Sequence, residues 1–248
     1  MSFDGKVTVI TGGSRGIGKG LVKAYAKSGS IVYFTYLTNE DSALELQENL
    51  TTFGYKVYAY KVDNTCTNSI TNFISKIISE VGKIDILINN AGYIPRGLFN
   101  NTTGTTMNKA IDINFFGVNY FCSAVLKYMV KQKNGVILNI SSLSAFRPVK
   151  GQAAYSASKA AIESLSKVLA LEYGRYNIRV NTIAPGLIET DVVKSISDKL
   201  KDDILQKTPL RRFGSIEDVS NAALFLSSDQ AKFITGTQLL ITGGKHLL

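Results

Sequence analysis

Tryptophan is absent from this 248-residue sequence, histidine occurs once, cysteine twice and proline four times. Each scarcity excludes something. Cys66 and Cys122 form no CxxC pair, so neither a disulfide framework nor a zinc site is expected, as suits a protein of the reducing cytoplasm. The single histidine, His246, stands almost at the end of the sequence and is expected to have no catalytic role. Carboxylates such as Asp202 and Asp203 read as a solvated face, so no bound metal is expected. No apolar run approaches the ~18 residues of a membrane span. The opening MSFDGKVTVITGG lacks a basic segment followed by a long apolar one, so no secretory signal is expected. The formal charge is +9. No zinc-finger spacing, helix-turn-helix or RNA-binding aromatic strand accompanies it, so the excess reads as a lysine-rich surface or a docking face for an acidic partner, not a nucleic-acid site.

What the sequence has is alternation. Short β-branched runs at 6–10, 31–35, 56–62, 84–89, 135–140, 178–183 and 238–241 predict strands, apolar enough to be buried on both faces. Helical patterns lie between them, at 16–28, 40–53, 67–80, 104–131, 155–174 and 216–227. Strand–helix alternation implies βαβ units with right-handed crossovers. The expectation is a single-domain α/β fold over 1–248: a doubly wound, Rossmann-like parallel sheet of about seven strands with helices on both faces. Residues 187–213 carry no strand pattern and are expected to form a lid over the substrate. Val192, Val193, Ile196, Leu200 and Leu205 would then meet an apolar group or simply pack on the body.

The first strand runs into TGGSRGIG, with Gly12, Gly16 and Gly18 at the strand-to-helix turn. Glycines there permit a tight turn and let the backbone approach a pyrophosphate, which the free N–H groups of the next helix attract. An NAD site places a carboxylate at the end of the second strand, for the ribose 2′-hydroxyl. Here Thr35, Tyr36, Leu37 and Thr38 come before any acid, and Arg15 is available to pair with a 2′-phosphate as a planar fork. NADPH is therefore expected in preference to NADH.

Further along come NNAG (89–92), Asn114 in IDINFFG, ISS (140–142), Tyr155 and Lys159 in YSASK, and PG (185–186). With the glycine turn, in this order and on these elements, the sequence resembles the short-chain dehydrogenase/reductase family over essentially its whole length. IAPGLIETDV, PLRRFG and ITGTQLLITGG look most like the 3-oxoacyl-[acyl-carrier-protein] reductases of that family. The resemblance implies a catalytic tetrad of Asn114, Ser142, Tyr155 and Lys159. It assigns Gly12, Ser14, Arg15, Gly16, Ile17 and Gly18 to the cofactor phosphates and ribose. Asp63 goes to the adenine, Asn89, Ala91 and Gly92 to the ribose side, and Pro185, Gly186, Ile188 and Thr190 to the nicotinamide. Tyr155 and Lys159 also touch the cofactor in this scheme. Two positions depart from the pattern: Leu37 stands where NADPH users often have arginine, and Thr242 replaces the acidic residue before the final glycine pair.

Residues i and i+4 of a helix project side by side, which places the Lys159 ammonium beside the Tyr155 phenol. At ~5 Å and an effective dielectric near 20 the attraction is about 3 kcal/mol, enough to lower the phenol pKa by about two units. Such a phenol is a competent acid for a ketone that receives hydride from the nicotinamide. Ser142 would hydrogen-bond the same oxygen, and Asn114 would anchor a water joining Lys159 to solvent. Ser141 would point the other way along the strand. By resemblance the substrate is a 3-oxoacyl thioester on acyl carrier protein, and the protein a homotetramer paired through the helices at 104–131 and 155–174. Lys127, Lys131 and Lys133, with Arg147, Lys150 and Arg175, would form the basic platform for the acidic carrier. Two alternatives stay open. One is a relative acting on a free sugar, steroid or polyketide-like ketone or alcohol; the other is a catalytically silent NADPH-binding module.

Overall fold

The computed structural model describes residues 1–194 and 197–247. The apolar runs become strands β1 (Val7–Ile10), β2 (Ile31–Tyr36), β3 (Val57–Lys61), β4 (Ile86–Asn89), β5 (Gly135–Ile140), β6 (Ile178–Pro185) and β7 (Gln238–Ile241). They form one seven-stranded sheet in the order β3-β2-β1-β4-β5-β6-β7, parallel at every pairing. The helices are α1 (Gly16–Lys27), α2 (Glu40–Thr52), α3 (Thr67–Val81), α4 (Gly104–Ile111), α5 (Gly117–Gln132), α6 (Ala153–Tyr173), α7 (Asp191–Lys194), α8 (Asp198–Gln206) and α9 (Ile216–Ser227).

The two-residue period of a strand explains why continuous apolar runs were needed. On β5, Val136, Leu138 and Ile140 pack with α1, α2 and α9, through Leu21, Leu46 and Val219 among others. Ile137, between them, packs on the opposite side with Ile74 of α3, Phe121 of α5 and Ile162 of α6. Every central strand buries both faces in this way. The strand order reverses between β1 and β4, and the crevice at the carboxyl ends of these strands is where a doubly wound sheet binds its ligand. The glycine turn (12–18), NNAG and the segment after β5 all converge there.

One expected helix is not continuous. The pattern over 104–131 resolves into α4, a π-helical turn at Asp112–Phe116, and α5. The wider turn rotates the following helix out of phase and aims Asn114 inward, where it is fully buried. The stretch 187–213 carries the short α7 and α8. Val193 is buried while Leu200 is 49% exposed. Ile196 and the side chain of Val192 lie outside the described residues. Among the described residues no helix is long and apolar enough to cross a membrane.

Candidate active site

The glycine turn is built by close approach. Gly12 has φ +66°, and a Cβ there would sit 2.9 Å from the Ala91 Cα. A Cβ on Gly18 would run into the Gly12 carbonyl and the Asn90 amide. Two residues outside the expected set hold this packing. The Thr11 hydroxyl accepts from the N–H groups of Asn90 and Ala91, both at 3.0 Å. Asn90 Nδ2 donates to the carbonyls of Thr11 (3.0 Å) and Gly12 (3.1 Å). Thus β1 and β4 are stitched together at their carboxyl ends. Strand alternation offered the signal: if Asn89 points into one face, Asn90 points toward the cleft. Asn89 is indeed turned away, its Nδ2 bonded to Asn139 Oδ1 at 2.8 Å and to Cys122 Sγ at 3.4 Å. Its side chain does not face the cleft.

The residues present fit a dinucleotide. Arg15 caps α1 without any side-chain hydrogen bond to the first turn, so the positive end of that helix is free for a pyrophosphate. Arg15 is exposed and Ser14 buried. Ile17 packs on the core. A Cβ on Gly16 would lie 3.7 Å from the Thr190 methyl, so the segment after β6 closes against the turn. Ile188 is a core residue, bridged in parallel to Gly214. Pro185 ends β6, and the Gly186 N–H donates to the Ile241 carbonyl of β7 at 2.8 Å. At the end of β2, Thr35 Oγ1 accepts from the Gly12 N–H at 3.3 Å. Leu37 is 49% exposed. The first acid beyond it, Glu40, lies near the Tyr36 phenol, whose pKa it helps to raise, and pairs with Lys61 at 3.4 Å. Asp63, past β3, accepts from the Thr65 N–H and hydroxyl at 2.8 and 2.7 Å.

The expected tetrad converges on α6. The Ser142 hydroxyl accepts from the Ser144 N–H at 3.1 Å and stands near enough the Tyr155 phenol to draw its pKa down. Ser141 points the opposite way, toward the Lys159 carbonyl at 3.5 Å. Lys159 is 3% exposed, and its Nζ donates to the Ile140 carbonyl at 2.7 Å. A Cβ on Gly92 would lie 3.7 Å from Lys159 Nζ and 3.5 Å from Asn114 Oδ1, which puts the NNAG loop over both. Asn114 accepts from the Tyr93 N–H at 2.7 Å and donates to the Tyr93 carbonyl and to Ser158 Oγ, each at 2.9 Å. Both amide protons of Asn114 are thereby engaged, so the side chain clamps the loop, and a water would have to use another acceptor of this residue.

The electrostatics correct one expectation. The Tyr155 phenol is not made more acidic; burial raises its pKa above the ordinary value, opposed in part by the nearby Ser142 hydroxyl. The reason is geometric. Lys159 Nζ donates to the Ile140 carbonyl and lies over the Tyr155 ring, 5.8 Å from its centre. Burial also weakens the lysine, pulling its pKa from 10.5 down to about 8, against an upward pull from Glu163. Burial thus shifts both groups toward their neutral forms, the lysine still keeping its proton below about pH 8.

The remaining departures find partners. Thr242 Oγ1 bonds His246 Nδ1 at 2.7 Å, and the His246 carbonyl accepts from Arg147 at 2.9 Å. The six basic residues expected to form one platform separate. Arg147 and Lys150 follow β5 at the cleft end. Lys127, Lys131 and Lys133 close α5, and Arg175 follows α6, at the amino ends of the next strands. With α6 rising ~1.5 Å per residue, Arg175 stands about 30 Å from Tyr155. Among the described residues no cluster of histidine, cysteine, aspartate or glutamate is arranged to hold a metal.

A family model described as "Enoyl-(Acyl carrier protein) reductase" matches residues 12–246. A 3-oxoacyl-[acyl-carrier-protein] reductase of Chlamydia muridarum is 40% identical over 239 residues, 96% of each chain. The enzyme of that name from Escherichia coli K12 is 36% identical over 248 residues, 100% of each chain. The solved structure of a short-chain type dehydrogenase/reductase from Mycobacterium ulcerans, 30% identical, superposes with a TM-score of 0.96 over 100% of this chain and 92% of its own. With the sheet order, the glycine turn and the serine–tyrosine–lysine cluster already in place, the chain belongs to the short-chain dehydrogenase/reductase family.

Proposed function

We propose that this protein reduces a 3-oxoacyl thioester carried on acyl carrier protein to the 3-hydroxyacyl product, with NADPH as the reductant. The family makes it an oxidoreductase of CH–OH and ketone groups. The observation that carries the finer reading is the Ser142 hydroxyl standing beside the Tyr155 phenol, close enough to lower its pKa, with the Lys159 amine buried one turn further along α6. Two hydroxyls side by side can both donate to one carbonyl oxygen.

A bound dihydronicotinamide supplies the hydride. The chain's residues handle the oxygen and the proton. Tyr155, protonated at neutral pH because burial disfavours its phenolate, gives its proton to the oxygen as negative charge develops there. Ser142 holds that oxygen in place. Lys159, with a pKa of about 8, exchanges protons near the working pH and returns one to Tyr155. Asn114 fixes the loop that covers the lysine. Gly12, Ser14, Arg15, Gly16 and Gly18, with the free end of α1, would hold the phosphates; Asp63 the adenine; Asn89 (through its backbone), Ala91 and Gly92 the ribose. Pro185, Gly186, Ile188 and Thr190 would border the nicotinamide. Arg15 favours a 2′-phosphate, and Glu40, near Tyr36 and paired with Lys61, does not stand against it.

Residues 187–213 would act as the lid in this single domain. A tetramer accords with the outward stripe of α6, where Ala157, Ala160, Ser164, Val168 and Leu171 are exposed, Leu171 by 84%. A carrier protein would meet Arg147 and Lys150 beside the cleft. Lys127, Lys131, Lys133 and Arg175 would serve it only where one copy's far end faces another copy's cleft. A cytoplasmic location is part of the same reading.

One panel tests the proposal: NADPH and NADH oxidation against acetoacetyl thioesters, crotonyl thioester, free sugars and hydroxysteroid ketones. Turnover highest with NADPH and the 3-oxoacyl thioester is expected. Preference for a sugar, a steroid or NADH overturns the substrate or cofactor assignment, and cofactor binding without turnover identifies a silent module.

A further inference from the structure

Along its buried face, α6 carries three titratable side chains at successive i, i+4 positions: Tyr155, Lys159 and Glu163. The first two are the proton-handling pair. Glu163 has been given no part, yet it is 8% exposed, and a buried carboxylate is costly unless something compensates its charge. Its Oε2 accepts from the Thr182 hydroxyl of β6 at 2.7 Å, while among the described residues Oε1 has no hydrogen-bond partner. Lys167, one turn further on, is exposed and turned to solvent. The buried cation on the same stripe is Lys159, whose Nζ donates to the neutral Ile140 carbonyl.

Among the described residues, other elements bring no second negative charge to Lys159. β5 offers the Ile140 carbonyl, the π turn the buried neutral Asn114 with its Asp112 exposed, and β6 Thr182. α4 brings Lys109, which sits over the Tyr93 ring at 4.9 Å. Arg147, in the segment after β5, is bound to the His246 carbonyl. The charge that acts on Lys159 to favour its ammonium form is that of Glu163.

We propose that Glu163 is a positioning residue of the proton relay: fixed by Thr182, its carboxylate sets the charge state of the buried Lys159 amine one helical turn away, and through it the pH range over which Tyr155 is resupplied. The inference rests on the reading of Tyr155 and Lys159 given above. It explains why a carboxylate is buried beside a hydroxyl donor and one turn from the amine. At closer range it would draw Nζ off the Ile140 carbonyl.

The test is Glu163→Gln, which keeps the shape and the acceptor for Thr182 but removes the charge. Lys159 is titrated directly by NMR in protein labelled at lysine Cε, with Lys159→Arg to assign its resonance. The Lys159 midpoint is expected to fall by about two pH units, the size of a unit charge one turn (~6 Å) away at an effective dielectric near 20. The upper limb of the kcat–pH profile with acetoacetyl thioester should fall with it, while the thermal midpoint stays within a few degrees. Glu163→Asp, which keeps the charge but draws it back, should give a smaller fall and serves if the glutamine variant does not fold. A Lys159 midpoint that stays or rises in the folded variant overturns the proposal. Absence of ketone turnover in the unmutated protein would sink the functional reading instead, because the NMR midpoint does not depend on turnover.

Discussion

Lys159→Met should exchange activity for stability, and the exchange has a predictable pH dependence. In the fold Lys159 is 3% exposed with a pKa of about 8, against 10.5 for the free side chain. A depressed lysine pKa means that the unfolded chain binds the extra proton more tightly. Well above the free-lysine pKa both states are neutral and no penalty exists. As pH falls toward 8 the unfolded chain gains protons first, so stability is lost; below about 8 the folded chain takes up the proton too and the loss levels off. Its full size is about 3 kcal/mol, from about 1.36 kcal/mol for each pH unit between the two pKa values. Between about pH 9.5 and pH 7 the protein should lose about 2 kcal/mol of unfolding free energy that a Lys159→Met variant does not lose. The burial is nearly complete, so solvent screening does not reduce the figure. Tyr155 also titrates in alkali, and the comparison is therefore made between Tyr155→Phe and Tyr155→Phe/Lys159→Met. Urea unfolding of both at several pH values reads the difference directly. Parallel stability curves, or a double variant whose stability falls more steeply toward pH 7, would refute the assignment of a depressed lysine pKa.

Tyr155→Phe alone should lower kcat by about a thousandfold, within the range for loss of a general acid, while NADPH binding measured by fluorescence changes less than about threefold. Near-normal turnover would remove the phenol from the mechanism. Gly18→Ala should abolish NADPH binding, since its methyl group meets the Gly12 carbonyl and the Asn90 amide; an unchanged dissociation constant would mean that the turn does not hold the phosphates. Asn114→Leu removes the clamp on Tyr93 and the bond to Ser158; with three hydrogen bonds at ~1 kcal/mol each, urea unfolding should show a loss of about 3 kcal/mol, and kcat should fall with it. Lys131→Glu/Lys133→Glu should raise the Michaelis constant for a carrier-linked substrate but not for a free thioester, and equal effects on both would exclude docking there.

The sequence alone was enough for the sheet, because every central strand buries both faces and so announces itself as an apolar run; β5 was legible to the residue at 135–140. It was enough for the glycine turn, which follows from its place between the first strand and the first helix; that Ser142 meets Tyr155 came from the family resemblance of the motifs, not from their spacing. It could not show the π turn that aims Asn114, which is a one-residue change in helical phase invisible to periodicity. Nor could it show Thr11 and Asn90 stitching β1 to β4, a contact between segments far apart in the chain. The acidity of Tyr155 was decided by the tertiary structure alone. Spacing put an ammonium beside a phenol, but burial and the Ile140 carbonyl determined where that ammonium points and how weakly it is charged. Proximity along a helix is a property of sequence; the dielectric around it belongs to the fold.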